Sequence, residues 1–308
     1  MRVLVTGSTG VLGISIVEML LKYSSKIDAT YYSQKSAPQG NKKIKYISYL
    51  DILNSKEKKI YDQIWHFATY GQPAKFMKNW KDIIKLNVND LDLLINLLKD
   101  DGHFFYASTS ELYGNNKSDE NTVPSSNPLS PRAIYTESKR LGEAILNTAI
   151  KNRSTFFRIC LAYSPNFKIG DNRVIYELTI KALKEKVIKL LDDGSSLRQY
   201  IYIDDAIKMM EDIAFKKLVG DIHKSSAWNI SNPEQISILE LANKIAYILD
   251  VKVIPGEKNN NPLHALSKVE IIPQRYSEIF GSFKYTNINE GLRKVILSAE
   301  YQLKNLKI

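Results

Sequence analysis

Short apolar or aromatic runs alternate with stretches of helical spacing through the first half of the chain, which is the pattern of a parallel sheet built from strand–helix–strand units. Residues 2–5, 26–32, 44–47, 64–67, 104–108 and 155–160 read as strands. Between them, residues 12–22, 80–98 and 135–152 repeat apolar positions every three or four residues and read as helices. From about residue 164 the alternation loosens into a helix at 174–186, a strand at 199–203 and an Asn-rich stretch at 259–262. The expectation is an α/β protein with a Rossmann-type, doubly wound parallel sheet over residues 1–163. A smaller, interwoven α/β region is expected over 164–308, with a segment near 197–206 returning to the first domain. No internal repeat is visible.

Composition narrows the class. With 308 residues, 44% of them hydrophobic, and only 14 Gly and 10 Pro, the chain can bury a core, which excludes disorder and collagen. The net charge of +10 invites a phosphate-bearing partner, but lysines and acids are interleaved, so no nucleic-acid partner is expected. A lone cysteine, Cys160, rules out an internal disulfide framework and fits a reducing, cytoplasmic setting. No apolar run reaches the roughly 18 residues that span a bilayer, and none reads as an export signal, so no membrane association is expected. Four His and one Cys show no metal-ligand spacing, and no metal is expected.

Thr6-Gly7-Ser8-Thr9-Gly10-Val11-Leu12-Gly13 follows a strand and opens a helix, the context of a phosphate-cradling loop. Glycines there permit a tight turn and close backbone approach, and the helix start offers unpaired N–H groups. Gly7, Thr9, Gly10, Val11, Leu12 and Gly13 are therefore candidate contacts for a dinucleotide, the alternative being a glycine-rich turn without a ligand. A carboxylate that would grip the adenosine ribose is missing after the second strand, which ends Tyr31-Tyr32-Ser33-Gln34-Lys35. Ser33 with Lys35 could instead face a 2′-phosphate, so NAD and NADP both stay open. Asp51 is a candidate for the adenine amino group or, alternatively, a helix cap.

Tyr135 and Lys139 stand four apart, on one face of the expected helix. A cationic neighbour lowers a phenol's pKa and makes it a base for a hydroxyl proton. Ser108-Thr109-Ser110-Glu111, at the end of a strand, adds hydroxyls and a carboxylate.

With these residues in hand, the sequence resembles the extended short-chain dehydrogenase/reductase family, the NAD-dependent epimerase/dehydratases of nucleotide sugars. The likeness runs through the glycine loop, Asp51-Ile52, the segment His66-Phe67-Ala68-Thr69-Tyr70-Gly71, Asn87, the run ASTSELYG at 107–114, and the YxxxK at 135–139. It continues through Arg158 with Pro165, residues 194–205 and residues 280–292. The resemblance implies that Thr109 bonds the reacting hydroxyl, that Tyr135 is the acid/base, and that Lys139 lowers its pKa and holds the nicotinamide ribose. It also implies that Ile52, Phe67, Ala68, Thr69 and Asn87 line the cofactor, and that Ser110 and Arg198 meet a nucleotide-diphosphate sugar. The chain departs from the family at Leu161, which stands where an Asn contacts the diphosphate, at residues 262–264, which hold no Arg, and at the missing ribose acid.

The expected reaction is oxidation at C4 followed by 4,6-dehydration, with Glu111 removing the C5 proton. Decarboxylation is an alternative, in which Arg132 or Arg173 would recognise a substrate carboxylate. A 4-ketoreductase is another, in which Glu111 would be a bystander. A non-catalytic NAD(P)-binding protein is the alternative from a different class. By resemblance, helices 80–98 and 135–152 would form a homodimer, with Leu91, Leu93, Leu94, Leu97 and Leu98 as core or dimer-face residues.

Overall fold

The computed structural model describes residues 1–32, 41–114, 117–216, 226–257 and 270–306. In chain order it opens with β1 (Arg2–Thr6), α1 (Val11–Leu20), β2 (Lys26–Tyr31), β3 (Ile44–Ser48), α2 (Tyr49–Leu53), β4 (Tyr61–His66), α3 (Pro73–Lys78) and α4 (Trp80–Ile84). A π turn (Lys85–Asn89) leads to α5 (Asp90–Leu97), β5 (Leu98–Thr109), a 3-10 turn (Ser110–Tyr113), β6 (Lys117–Ser118), α6 (Ala133–Ala149) and β7 (Ser154–Ile159). Then come β8 (Leu161–Tyr163), α7 (Val174–Glu185), β9 (Val187–Lys189), β10 (Leu197–Tyr202), α8 (Ile203–Phe215) and β11 (Ser226–Ile230). The chain continues with β12 (Gln235–Ser237), α9 (Ile238–Leu249), β13 (Lys252–Ile254), β14 (Glu270–Ile271), α10 (Gln274–Phe280) and α11 (Ile288–Asn305).

Two units divide the chain: Met1–Leu112 with Ser125–Ile159 and Ile207–Ile230, and Tyr113–Pro124 with Cys160–Ala206 and Ser231–Ile308. The first unit holds a seven-stranded sheet in the order β11-β7-β5-β4-β1-β2-β3, and every pairing in it is parallel. The order reverses between β1 and β4. In open sheets of this kind the crevice beyond the strands' carboxyl ends at that reversal is where ligands bind. Strand β7 is buried at all six positions, as a central strand covered on both faces must be. On one side, Leu91, Leu94 and Leu97 of α5 pack with Leu4, Ile64 and Phe104 of the sheet, while Leu93 stays 43% exposed.

One sequence expectation needs correction. The segment that returns to the first unit is Ile207–Ile230, not 197–206. Strand β10 instead pairs antiparallel with β12 and parallel with β8, inside the second unit. The helix expected at 80–98 runs continuously from Trp80 to Leu97, with a π turn at Lys85–Asn89 inside it. Two strand side chains bond the backbone carbonyls there: His66 Nε2 donates to Leu86 O at 2.8 Å, and Tyr106 Oη donates to Asn87 O at 3.1 Å. Such turns survive where partners satisfy the displaced backbone groups.

The second unit contains the three-stranded sheet β12-β10-β8 and the two-stranded pairs β13-β9 and β14-β6. A buried amide anchors it: Gln199 donates to Asn232 O and Ile271 O and accepts from Ile271 N at 2.7 Å. Among the described residues, no helix is long and apolar enough to cross a membrane, and no cluster of three or more His, Cys, Asp or Glu could hold a metal.

Candidate active site

The glycine loop is held by its own backbone. Gly7 adopts φ +71°, and a Cβ there would stand 2.6 Å from the Phe67 carbonyl carbon and oxygen. At Gly13 a Cβ would fall 2.1 Å from Gly7 O, so α1 can start this close to the turn only without a side chain. Gly10 N donates to Gly7 O at 3.0 Å, and Ser8 Oγ donates to Thr30 O at 2.8 Å. Gly10 is the N-cap of α1, with no side-chain cap and no acid in the first turn. The first-turn amides, with the positive end of the helix behind them, therefore face outward for an anion. Thr9, Val11 and Leu12 are half-buried around this turn.

A second group of residues gathers at the carboxyl ends of β4 and β5 and on α6. Thr109 ends β5, and its Oγ1 accepts from Glu111 N at 3.2 Å. Tyr135 lies on the first turn of α6 and stacks on Phe76 with centroids 4.5 Å apart and planes 7° from parallel. Burial raises the Tyr135 phenol's pKa and the Glu111 charge raises it further, while a hydrogen bond with Thr109 and the Arg132 charge lower it. The neighbours that favour the phenolate are thus Thr109 and Arg132. Lys139 Nζ sits instead over the Tyr106 ring, 4.5 Å from its centroid.

Lys139 is fully buried, and its ammonium has no hydrogen-bond partner among the described residues. Burial pulls its pKa down to about 7 against the opposing Glu143 charge. Asn87 Oδ1 and Thr69 Oγ1 are likewise buried without partners, although Asn87 Nδ2 donates to Ser138 Oγ at 2.9 Å. Each such orphaned polar atom costs about 1–3 kcal/mol unless something bonds it. His66 completes the surroundings. Its Nε2 proton goes to the Leu86 carbonyl, so Nδ1 accepts from the Thr6 hydroxyl at 2.7 Å. Burial first, then the Lys139 charge, depress its pKa to about 3, so the ring is neutral.

The ion pairs were not foreseen from sequence. Arg132 grips Glu111 with two bonds, Nε to Oε2 at 2.8 Å and Nη2 to Oε1, and its guanidinium lies 5.2 Å from the Phe76 centroid. Behind them, Glu143 takes Arg158 Nε at 3.0 Å, Arg158 Nη2 at 2.7 Å and Ser108 Oγ at 2.6 Å. A bidentate guanidinium–carboxylate pair fixes both planes, which stiffens the wall around the phenol.

Other expected residues fall in several places. Ser110 is buried at the head of the 3-10 turn. Phe67 is buried, and its amide donates to Thr6 O at 3.1 Å; the amide of half-buried Ala68 donates to Thr6 Oγ1 at 3.4 Å. Asp51 is exposed in the first turn of α2, whose N-cap is Ser48. Ile52 is packed into the core cluster with Leu4 and Tyr61. Ser33, Lys35 and residues 262–264 lie outside the described residues. Arg198 is on β10 in the second unit, and its Nη1 donates to Leu197 O at 2.7 Å. Arg173, a candidate for a substrate carboxylate, is taken up by Asp171 (Nη2 to Oδ2, 2.7 Å) and by Ala162 O (3.1 Å).

The sequence profile of the NAD dependent epimerase/dehydratase family matches residues 3–230. UDP-glucuronic acid decarboxylase 6 of Arabidopsis thaliana is 26% identical over 304 residues, which covers 95% of this chain and 87% of that protein. UDP-glucuronic acid decarboxylase 1 of Danio rerio is 26% identical over 312 residues, covering 96% of this chain and 72% of its own. Among solved structures, the dTDP-glucose 4,6-dehydratase DesIV from Streptomyces venezuelae, with NAD bound, matches at a TM-score of 0.82 and 17% identity, over 99% of this chain and 98% of its own. MoeE5 in complex with UDP-glucuronic acid and NAD matches at 0.79 and 19%, over 98% and 100% of the two chains. At these identities the structural likeness speaks for the fold.

Proposed function

The chain belongs to the NAD dependent epimerase/dehydratase family, and we propose that it oxidises a nucleotide-diphosphate sugar at C4 and then removes carbon dioxide from a carboxylate at C6. The observation that carries this reading is Arg132, the N-cap of α6 three residues before Tyr135, whose guanidinium is close enough to lower the pKa of the phenol. A group that close to the base at C4 stands beside the substituents of the adjoining carbons. The two relatives described above bear the name of that reaction.

The residues present fit the family's NAD. The uncapped start of α1 offers amides for a pyrophosphate, and the orphaned Lys139 Nζ, Asn87 Oδ1 and Thr69 Oγ1 await polar partners. NAD, when bound, supplies the acceptor for the hydrogen that leaves C4. Tyr135 takes the proton of the 4-hydroxyl, and Thr109 orients that hydroxyl through its bond to the phenol. Lys139, whose buried ammonium has no partner among the described residues, holds ribose hydroxyls. With C4 a ketone, the C5–C6 bond breaks, its electron pair passes into the enolate, and carbon dioxide leaves. The enolate is protonated at C5, C4 is reduced again, and Tyr135 returns the proton to its oxygen.

A second reading, 4,6-dehydration, draws on the proximity of Glu111 to the phenol. In it Glu111 would take the C5 proton while each of its oxygens also accepts from Arg132, which lowers its basicity. The proposal includes a homodimer through α4, α5 and α6, where Trp80 (52%), Leu93 (43%) and Leu141 (49%) are exposed.

Incubating the purified chain with NAD and either UDP-glucuronic acid or UDP-glucose, and reading products by NMR, tests the choice. Carbon dioxide and a nucleotide pentose from the first sugar, without added reductant, are expected. A 4-keto-6-deoxy product from UDP-glucose alone would favour dehydration, and consumption of one reductant per product would favour the ketoreductase.

A further inference from the structure

We propose that Arg132 selects substrate by exchange: the C6 carboxylate of the incoming sugar takes the guanidinium away from Glu111. The inference rests on the decarboxylase reading given above and adds a residue and a means of discrimination to it.

Both bonding edges matter. Arg132 Nε and Nη2 are spent on Glu111 Oε2 and Oε1, so the resting guanidinium already holds one carboxylate in the fork-to-fork arrangement. The pair is accessible, with side-chain exposures of 22% for Arg132 and 15% for Glu111. It is also close to the chemistry, since both charges act on the Tyr135 phenol. Glu111 is tethered by its own backbone, whose amide donates to Thr109 Oγ1. The guanidinium is supported differently, by the face of Phe76, the ring on which Tyr135 also stacks. The exchange therefore needs only the guanidinium's bonds to Glu111 to be given up, while its face can stay on Phe76.

A carboxylate at C6 offers the same two oxygens that Glu111 offers. Exchanging one for the other gives the guanidinium two charge-assisted bonds for two and keeps the cation paired, while Glu111 gives up both of its bonds. A hydroxymethyl group at C6 offers neither the charge nor the second acceptor, so it leaves Glu111 in place. The site thereby distinguishes a nucleotide hexuronate from the matching neutral hexose through a competition between carboxylates, one of them part of the protein. Without Glu111, the guanidinium would stand open to any small anion.

Calorimetric titration of the NAD-loaded full chain with UDP-glucuronic acid and with UDP-glucose, which differ only at C6, tests the exchange. Glu111→Gln removes the competing charge and keeps the shape. It should tighten UDP-glucuronic acid about tenfold, the scale of one charge-assisted bond, and leave UDP-glucose within about twofold. Arg132→Gln should abolish the preference for the acidic sugar. Arg132→Lys keeps the charge but loses the fork, and should retain part of that preference, so it separates recognition from misfolding. Equal weakening of both sugars by Glu111→Gln, or an unchanged preference in Arg132→Lys and Arg132→Gln, would make the pair a structural strut and overturn the exchange. Failure of the wild-type chain to bind UDP-glucuronic acid, with UDP-glucose still bound, would overturn the decarboxylase reading beneath it.

Discussion

The glycine loop and the region around Tyr135 are assembled on opposite principles. In the loop, Gly7, Gly10, Ser8 and Thr30 satisfy one another, and close backbone contacts at Gly7 and Gly13 leave no room for a side chain. Around Tyr135, the buried Lys139 ammonium, Asn87 Oδ1 and Thr69 Oγ1 have no partners among the described residues. The first region holds its shape through its own backbone bonds and close packing, with the uncapped first-turn amides of α1 left for an anion. The second keeps buried polar groups without protein partners, a local cost to stability that a bound ligand would offset. A shape-built region is broken by adding atoms; a chemistry-built one is broken by removing or neutralising a single group.

The largest effect is expected in the second region. Tyr135→Phe keeps the ring on Phe76 but removes the titrating group, and should lower kcat by about 10²–10⁴, with NAD affinity preserved in a titration. Near-normal turnover would remove Tyr135 from the chemistry. Gly13→Ala attacks the first region by the other route. The added methyl would meet Gly7 O, at a cost of about 1–3 kcal/mol, visible as a lower Tm together with loss of NAD binding.

Lys139→Met sharpens the contrast, because it should lose activity while gaining stability. Removing an unpaired buried ammonium should stabilise the ligand-free protein by about 1–3 kcal/mol. The pH dependence has a definite sign. With its pKa pulled down to about 7 by burial, Lys139 binds fewer protons in the folded than in the unfolded chain from that pH up to the ordinary lysine range. Stability of the wild type should therefore rise with pH across that window, relative to Lys139→Met. Parallel pH–stability curves would contradict a buried, partner-free ammonium. The smallest effect is expected at exposed Asp51. Asp51→Ala should change stability by no more than about 0.5 kcal/mol and weaken NAD by roughly threefold to tenfold if the carboxylate bonds the adenine.

The same contrast explains what was legible beforehand. The parallel sheet and the glycine loop could be read because local spacing and a few glycines specify them. Helix 80–98 kept its apolar spacing on paper, yet the π turn depends on His66 and Tyr106, side chains from two other strands. Strand β11 is five residues long and is defined by its pairing with β7, which no local pattern reveals. Tyr135, Lys139, Thr109 and Glu111 were identified individually. Their relations differed: Arg132 and Thr109, rather than Lys139, act on the phenol to lower its pKa, and Glu111 is bound to Arg132. The pairing of Arg173, an alternative for a substrate carboxylate, with Asp171 two residues away was likewise not legible in the sequence.

The central claim, that Tyr135 serves an oxidation at C4 that is reversed within each catalytic cycle, is tested most directly with UDP-glucuronic acid deuterated at C4. With NAD and no reductant, the account predicts a nucleotide pentose that retains the deuterium at C4. A product without deuterium at C4, or no product from this sugar, would contradict it.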